Sequence, residues 1–283
     1  MYLSFNKNDL ESICGFKSKK FTMVNYVFTF IVGTLISVAF YGILICFYNQ
    51  GMNYVDMFFH LQKRSIIPYF TVFLTGWSLA ILLVKLCKLR NQRRVFQLNI
   101  LPEDPNFVLS PRTAREMLDR IYLQVDQPDR YVLLHRINLA LSNLQNLGNT
   151  NAVAECLNCQ ADNDEEYLAN SYTILKAFIW AIPVLGFIGT VLGLAQAVGN
   201  FGQVITQTQN VEIWQAELTQ VTGGLAIAFE TTLIALVLAL LVQLSAKFVL
   251  NEEELFLDEC AVYCNSNIVA KMKNINLSGA ENL

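Results

Sequence analysis

The sequence predicts an all-α integral membrane protein with four transmembrane helices and a cytoplasmic helical domain. Three observations predict it. First, 54% of the 283 residues are hydrophobic and only 15% are charged, against about 25% charged in an ordinary soluble domain. Second, residues 21–55 and 177–211 carry no formal charge, and a bilayer core of about 30 Å needs only roughly 20 residues of helix. Third, basic residues gather at the ends of apolar runs: Lys17, Lys19 and Lys20 before the first, and Lys85, Lys88, Arg90, Arg93 and Arg94 after the second. A net charge of -3 gives no pull toward nucleic acid, so what matters is where the cations sit relative to the spans.

Residues 1–22 form a polar cytoplasmic lead-in. The run that follows is too long for a signal-peptide core and lacks a cleavage site, so it is a retained helix. Spans are expected at 23–48, 66–86, 173–199 and 217–247. The basic block after the second span is cytoplasmic by the positive-inside rule. Residues 49–65 and 200–216 then face outward, and 87–172 and 248–283 face the cytoplasm. Within 49–65, Val55, Met57, Phe58, Phe59 and Leu61 suggest a helix lying on the outer interface, with His60 an interfacial residue.

The 87–172 insert carries helix signals and is not a linker. Ser110-Pro111 is an N-cap followed by proline at the first helical position. A second helix opens at Pro128, with Leu134, Ile137, Leu141 and Leu144 on one face and Gly148 as its stop. Residues 149–164 are polar and expected to loop. Asp164-Glu165-Glu166 then starts a helix that continues through Tyr172 into the third span. A helix is likewise expected to run on from Lys247 to about Lys273.

The third and fourth spans are the most informative. Pro183-Val-Leu-Gly186-Phe-Ile-Gly189-Thr190-Val191 places Gly186, Gly189, Gly193 and Ala197 on one helix stripe, where a second helix can approach almost to backbone contact. Thr222-Gly223-Gly224-Leu225 lies near the start of the fourth span, whose run from Leu218 to Ala246 has Glu230 as its only ionisable group. These two motifs resemble those of the MotA/TolQ/ExbB proton-channel family. The resemblance implies a homopentameric ring around a dimeric, single-span MotB/TolR/ExbD-like partner with an ion-carrying aspartate. It also implies that Thr190 and Thr222 line the polar passage, and that the chain sits in the bacterial inner membrane with both ends cytoplasmic. The Gly189/Gly193 stripe and the small residues of the last span are expected to close that ring. Four spans fit the MotA layout better than the three-span TolQ layout. The chain departs from the TolQ and ExbB branches at Ala228-Phe229-Glu230-Thr231-Thr232, where they run Ala-Ile-Pro.

The rest of the chain offers no enzyme. There is no Gly-x-Ser-x-Gly, no phosphate loop ending in Gly-Lys-Ser or Gly-Lys-Thr, and only two histidines; no cofactor is expected. Cys156, Cys159, Cys260 and Cys264 have spacings that allow a zinc site, but small buried hydrophobes are the plainer reading, and no metal is expected. A threonine hydroxyl does not titrate near neutrality, so it can line a path but not store a proton. A carboxyl at mid-membrane costs at least about 2.5 kcal/mol to ionise, which makes Glu230 either an ion-path residue or a protonated hydrogen-bonding one. The function expected is an ion channel, with the proton as the ion, that converts ion-motive force into mechanical work. A secondary transporter would show repeated halves, and the first pair of spans does not resemble the second. A non-conducting membrane scaffold is the other alternative.

Overall fold

The computed structural model describes residues 3–5, 9–48, 66–98, 109–147, 150–207 and 211–272. The expected interfacial helix of 49–65 and the stop at Gly148 lie outside them. Eight α-helices follow in order among the described residues: α1 (Leu10–Ile13), α2 (Tyr26–Tyr48), α3 (Ile67–Arg93), α4 (Pro111–Gln124), α5 (Val132–Leu147), α6 (Thr150–Ser171), α7 (Thr173–Gln207) and α8 (Val211–Cys264). Among the described residues four runs are long and apolar enough to cross a membrane: Tyr26–Phe47, Ile67–Gln97, Thr150–Gly199 and Val221–Val269. The chain divides into two compact units, one of Met1–Asn25, Leu83–Tyr172 and Phe248–Leu283, the other of Tyr26–Leu82 and Thr173–Lys247.

The second unit holds α2, α7 and the parts of α3 and α8 up to Leu82 and Lys247, and these helices meet at glycines. In α2 and α3, a methyl added at Gly33 would stand 2.6 Å from the Trp77 Cα, and one at Gly76 would stand 2.5 Å from Ser37 Oγ. Only the missing Cβ atoms allow so close a crossing. Trp77 Nε1 donates across it to Thr29 Oγ1 at 3.2 Å, which gives the indole N–H a partner where no water is available.

The first unit is a helical domain around α5. Leu133, Leu134, Ile137 and Leu141 of that helix are fully buried, the one-sided stripe that an amphipathic helix turns to a core. Ser110 caps α4 in a reciprocal capping box with Thr113. The amino-terminal strand-like segment lies along the end of α4: Leu3 N donates to Gln124 O at 2.9 Å, and Asp126 accepts from Phe5 N at 3.0 Å.

Three expectations are corrected. Residues 150–164 are not a loop but most of α6, because Val153, Leu157, Asp164 and Leu168 fall on one buried stripe among the polar residues. Asp164 therefore sits inside a helix and not at its start. At Tyr172 the helical path has a single-residue turn, with Tyr172 N bonded to Ala169 O at 3.2 Å. Finally, α7 continues to Gln207 and α8 begins at Val211, so helix occupies most of the stretch expected as an outer loop at 200–216. After the fourth span α8 runs unbroken to Cys264 and ends in a π-helical turn, Asn265–Val269.

Candidate functional site

The glycine stripe of α7 faces α8 of the same chain. A Cβ at Gly186 would meet the Ala235 Cβ at 2.5 Å, one at Gly189 the Thr231 Oγ1 at 2.7 Å, and one at Gly193 the Ala228 Cβ at 2.8 Å. Farther along, Gly224 faces the Ala197 Cβ at 3.4 Å. Thr232 adds an interhelical bond, its hydroxyl donating to Gly186 O at 2.8 Å. The expectation that Gly189 and Gly193 close a ring between subunits is thus corrected: the chain's own fourth helix already fills that groove. Around Gly223 there is nothing within 4 Å, so this glycine lies off the α7–α8 contact.

That register places the expected ion-path residues at two levels. With Gly189 on Thr231 and Gly193 on Ala228, antiparallel helices put Thr190 level with Glu230 and Thr231. Thr222 is eight residues from Glu230, about 12 Å along the axis, at the level of Val198 and Gly199. Thr190 bonds to Phe187 O at 2.7 Å. Thr222 bonds to Leu218 O at 2.9 Å and Thr219 O at 3.0 Å. Both hydroxyls therefore give their proton to their own helix and keep acceptor lone pairs for a passing donor. Glu230 is half-buried, Thr190 half-buried and Thr222 exposed. On a 100° helical wheel Glu230 and Thr222 both lie well away from the stripe formed by Gly224, Ala228, Thr231 and Ala235, so they sit on the side of α8 that α7 leaves uncovered.

Thr231 and Thr232 are polar groups at the α7–α8 seam, which the sequence shows only as part of the departure from the TolQ and ExbB branches. The signal was their place in the same stripe as Ala228 and Ala235.

More was missed in the first unit. Lys85 and Lys88 look like solvated cations of a positive-inside block, but both are buried. Lys85 Nζ donates to Glu253 Oε2 at 3.1 Å and Oε1 at 3.2 Å and to Ser171 Oγ at 2.8 Å, and it stands 4.2 Å over the Tyr172 ring. The Tyr172 hydroxyl donates to the same carboxylate. Lys88 Nζ donates to Glu11 Oε2 at 2.7 Å and to Met23 O at 2.6 Å, and Glu11 also accepts from Asn25 N at 2.7 Å. Arg136 Nε donates to Asp164 Oδ2 at 2.7 Å. Periodicity carries the signal: Ile81, Lys85, Lys88 and Gln92 form one buried stripe on α3, as do Val249, Glu253, Phe256 and Cys260 on α8. A cavity of about 20 Å³ lined by Ser171, Asp164 and Glu253 lies beside these pairs, room for a single water molecule.

The four cysteines with zinc-like spacings are free thiols, Cys260 and Cys264 buried, Cys156 half-buried and Cys159 exposed. Among the described residues no group of three His, Cys, Asp or Glu is placed to hold a metal ion. Burial pushes the Cys264 thiol up to about 11, only partly offset by Arg136, and drives Cys260 in the same direction.

Residues 124–259 match the MotA/TolQ/ExbB proton channel family, a family of channels and not of enzymes. The matched segment holds α5, α6, α7 and nearly all of α8, and with them Thr190, Thr222 and Glu230. No curated protein and no solved structure matches the chain.

Proposed function

We propose that the chain belongs to the MotA/TolQ/ExbB proton channel family, whose model matches residues 124–259, and that it is the channel subunit of an ion-driven motor. Its partner is a dimeric MotB/TolR/ExbD-like protein with one span and an ion-carrying aspartate, enclosed by a homopentamer of this chain. The complex sits in the bacterial inner membrane with both ends of this chain cytoplasmic. The proton is the ion. A unit charge falling through 100 mV releases about 2.3 kcal/mol, and repeated transfers drive stepwise motion of one component against the other.

The observation that carries this reading is the register of α7 on α8, which brings Thr190 level with the lone mid-span carboxyl, Glu230, inside the family-matched segment. Thr222 marks a second polar level toward the outer end. Glu230 and Thr222 occupy the side of α8 away from α7, a poor surface for lipid, since an ionisable group in a span normally faces a cavity or another protein helix. On this reading the partner's aspartate receives its proton near Thr222 and is relieved of it near Thr190 and Glu230.

Proton uptake by vesicles containing the complex with its partner tests the assignment. Glu230→Gln keeps size and hydrogen bonding but cannot exchange a proton, so assembly should persist while uptake falls. Thr190→Val and Thr222→Val should act the same way. Wild-type uptake in all three variants would remove these residues from the path, and a Glu230→Leu variant that fails to assemble while Glu230→Gln works normally would make Glu230 a packing residue.

A further inference from the structure

One buried polar cluster of the first unit lies, along the sequence, close to three of the points where the chain passes from one unit to the other. Those passages fall at Leu82/Leu83, Tyr172/Thr173 and Lys247/Phe248, and each is followed or preceded within a few residues by one member of a single cluster: Lys85, Tyr172 and Glu253. We infer that these three residues form a positioning latch, which fixes the rotation and axial offset of α3 and α8 and the point where α7 begins.

The geometry is directional in a way that apolar packing is not. The Lys85 ammonium has three donors, and it meets both oxygens of Glu253 and the Ser171 hydroxyl. Its remaining side faces the Tyr172 ring at 4.2 Å, a favourable site for a cation. Tyr172 closes the cycle by donating to Glu253. Side-chain exposure is 0% for Lys85 and 2% for Glu253, and the adjoining cavity has room for a single water molecule, so bulk water cannot replace these bonds if the helices slip. Rotating α8 by one residue would turn Glu253 off the stripe it shares with Val249 and Phe256, stranding a buried ammonium. Leucines at the same places would accept that slip by repacking.

Energetics point the same way. Desolvation consumes much of what a buried pair gains, and well-packed apolar residues of similar volume are often as stable. Bulk stability alone therefore gives little reason for charge here, whereas a unique register does. Because α3 and α8 are unbroken through Lys85 and Glu253, pinning these residues pins the helices that carry them.

The apolar variant Lys85→Met/Glu253→Leu/Tyr172→Phe tests the inference in the full-length chain. Spin labels at Leu83→Cys and Phe248→Cys, with the exposed native cysteines changed to serine and labelled chains diluted into unlabelled ones, report the α3–α8 offset. We expect helix content and melting temperature at or above the parent protein and a broadened or shifted distance distribution. A distance distribution as narrow as the parent's overturns the latch. If the triple variant does not fold, Tyr172→Phe alone, which removes one hydroxyl, decides by the same distance readout with a smaller change of the same sign. The distance readout needs no ion flow, so a parent complex that fails to take up protons would refute the proposed function and leave the latch standing on its own result.

Discussion

Arg136 is a large side chain buried to 1% exposure, and its charge is met by Asp164 at 2.7 Å and by the Leu257 carbonyl at 3.4 Å. Asp164 in turn accepts from Gln160 at 2.8 Å. Taking one partner away leaves the other as an uncompensated buried charge, which costs about 3–5 kcal/mol, whereas replacing both by apolar groups is often neutral. Arg136→Met should therefore lower the melting temperature sharply, and Arg136→Met/Asp164→Leu should recover most of the loss. Equal melting of the single and double variants would mean that the pair is not coupled. Cys260 and Cys264 give a second test at this scale. Both thiols are raised by burial, Cys264 to about 11, so the reactive thiolate is scarce below that pH. Alkylation of the folded protein between pH 7 and 9, ordinary working values for a thiol whose free pKa is about 8.5, should mark the exposed Cys87 and Cys159 and spare Cys260 and Cys264 until the chain is unfolded.

Between elements, the two glycine-lined crossings decide which helices approach closely. At Gly189 a Cβ would already stand 2.7 Å from Thr231 Oγ1 and 3.2 Å from its Cβ, so a valine forces α7 away from α8 and costs about 1–3 kcal/mol. At Gly223 the surroundings are open within the chain. Gly189→Val should thus lower stability of the detergent-solubilised chain, while Gly223→Val should leave it unchanged. Loss of assembly in Gly223→Val with unaltered melting would place that face against another helix from a neighbouring copy or the partner. Such helix contacts follow from residue size, which is why the α7 motif revealed a packing face in the sequence. Its occupant did not follow, since any helix with Ala or Thr at matching intervals fits a glycine groove. Residues 150–164 show the opposite failure: local polarity favoured a loop, and burial of Val153 and Leu157 against the rest of the first unit overrode it.

At the scale of the whole molecule, the Gly186, Gly189 and Gly193 face is taken up inside the chain, so the proposed ring would form its contacts between copies on other surfaces, and Thr222, Gly223 and Glu230 lie on one that α7 leaves uncovered. Native mass measurement of the purified complex should give five copies of this chain to two of its partner; a two-fold dimer or a monomer would defeat the ring. The apolar, charge-poor runs, their lengths and the Pro183–Val191 motif were enough to identify four membrane-length helices and a resemblance to the family whose model matches residues 124–259, because bilayer thickness and close helix contact act directly on residue type and spacing. Tertiary structure alone decided that α8 fills the α7 groove, that Thr190 is level with Glu230 and not with Thr222, and that Lys85 and Lys88 are buried with Glu253 and Glu11 and are not part of a solvated block. The reason is physical: a lysine at a helix end has the same local signature whether water or a carboxylate from a distant part of the chain neutralises it, and only the folded chain brings residues 85 and 253 together.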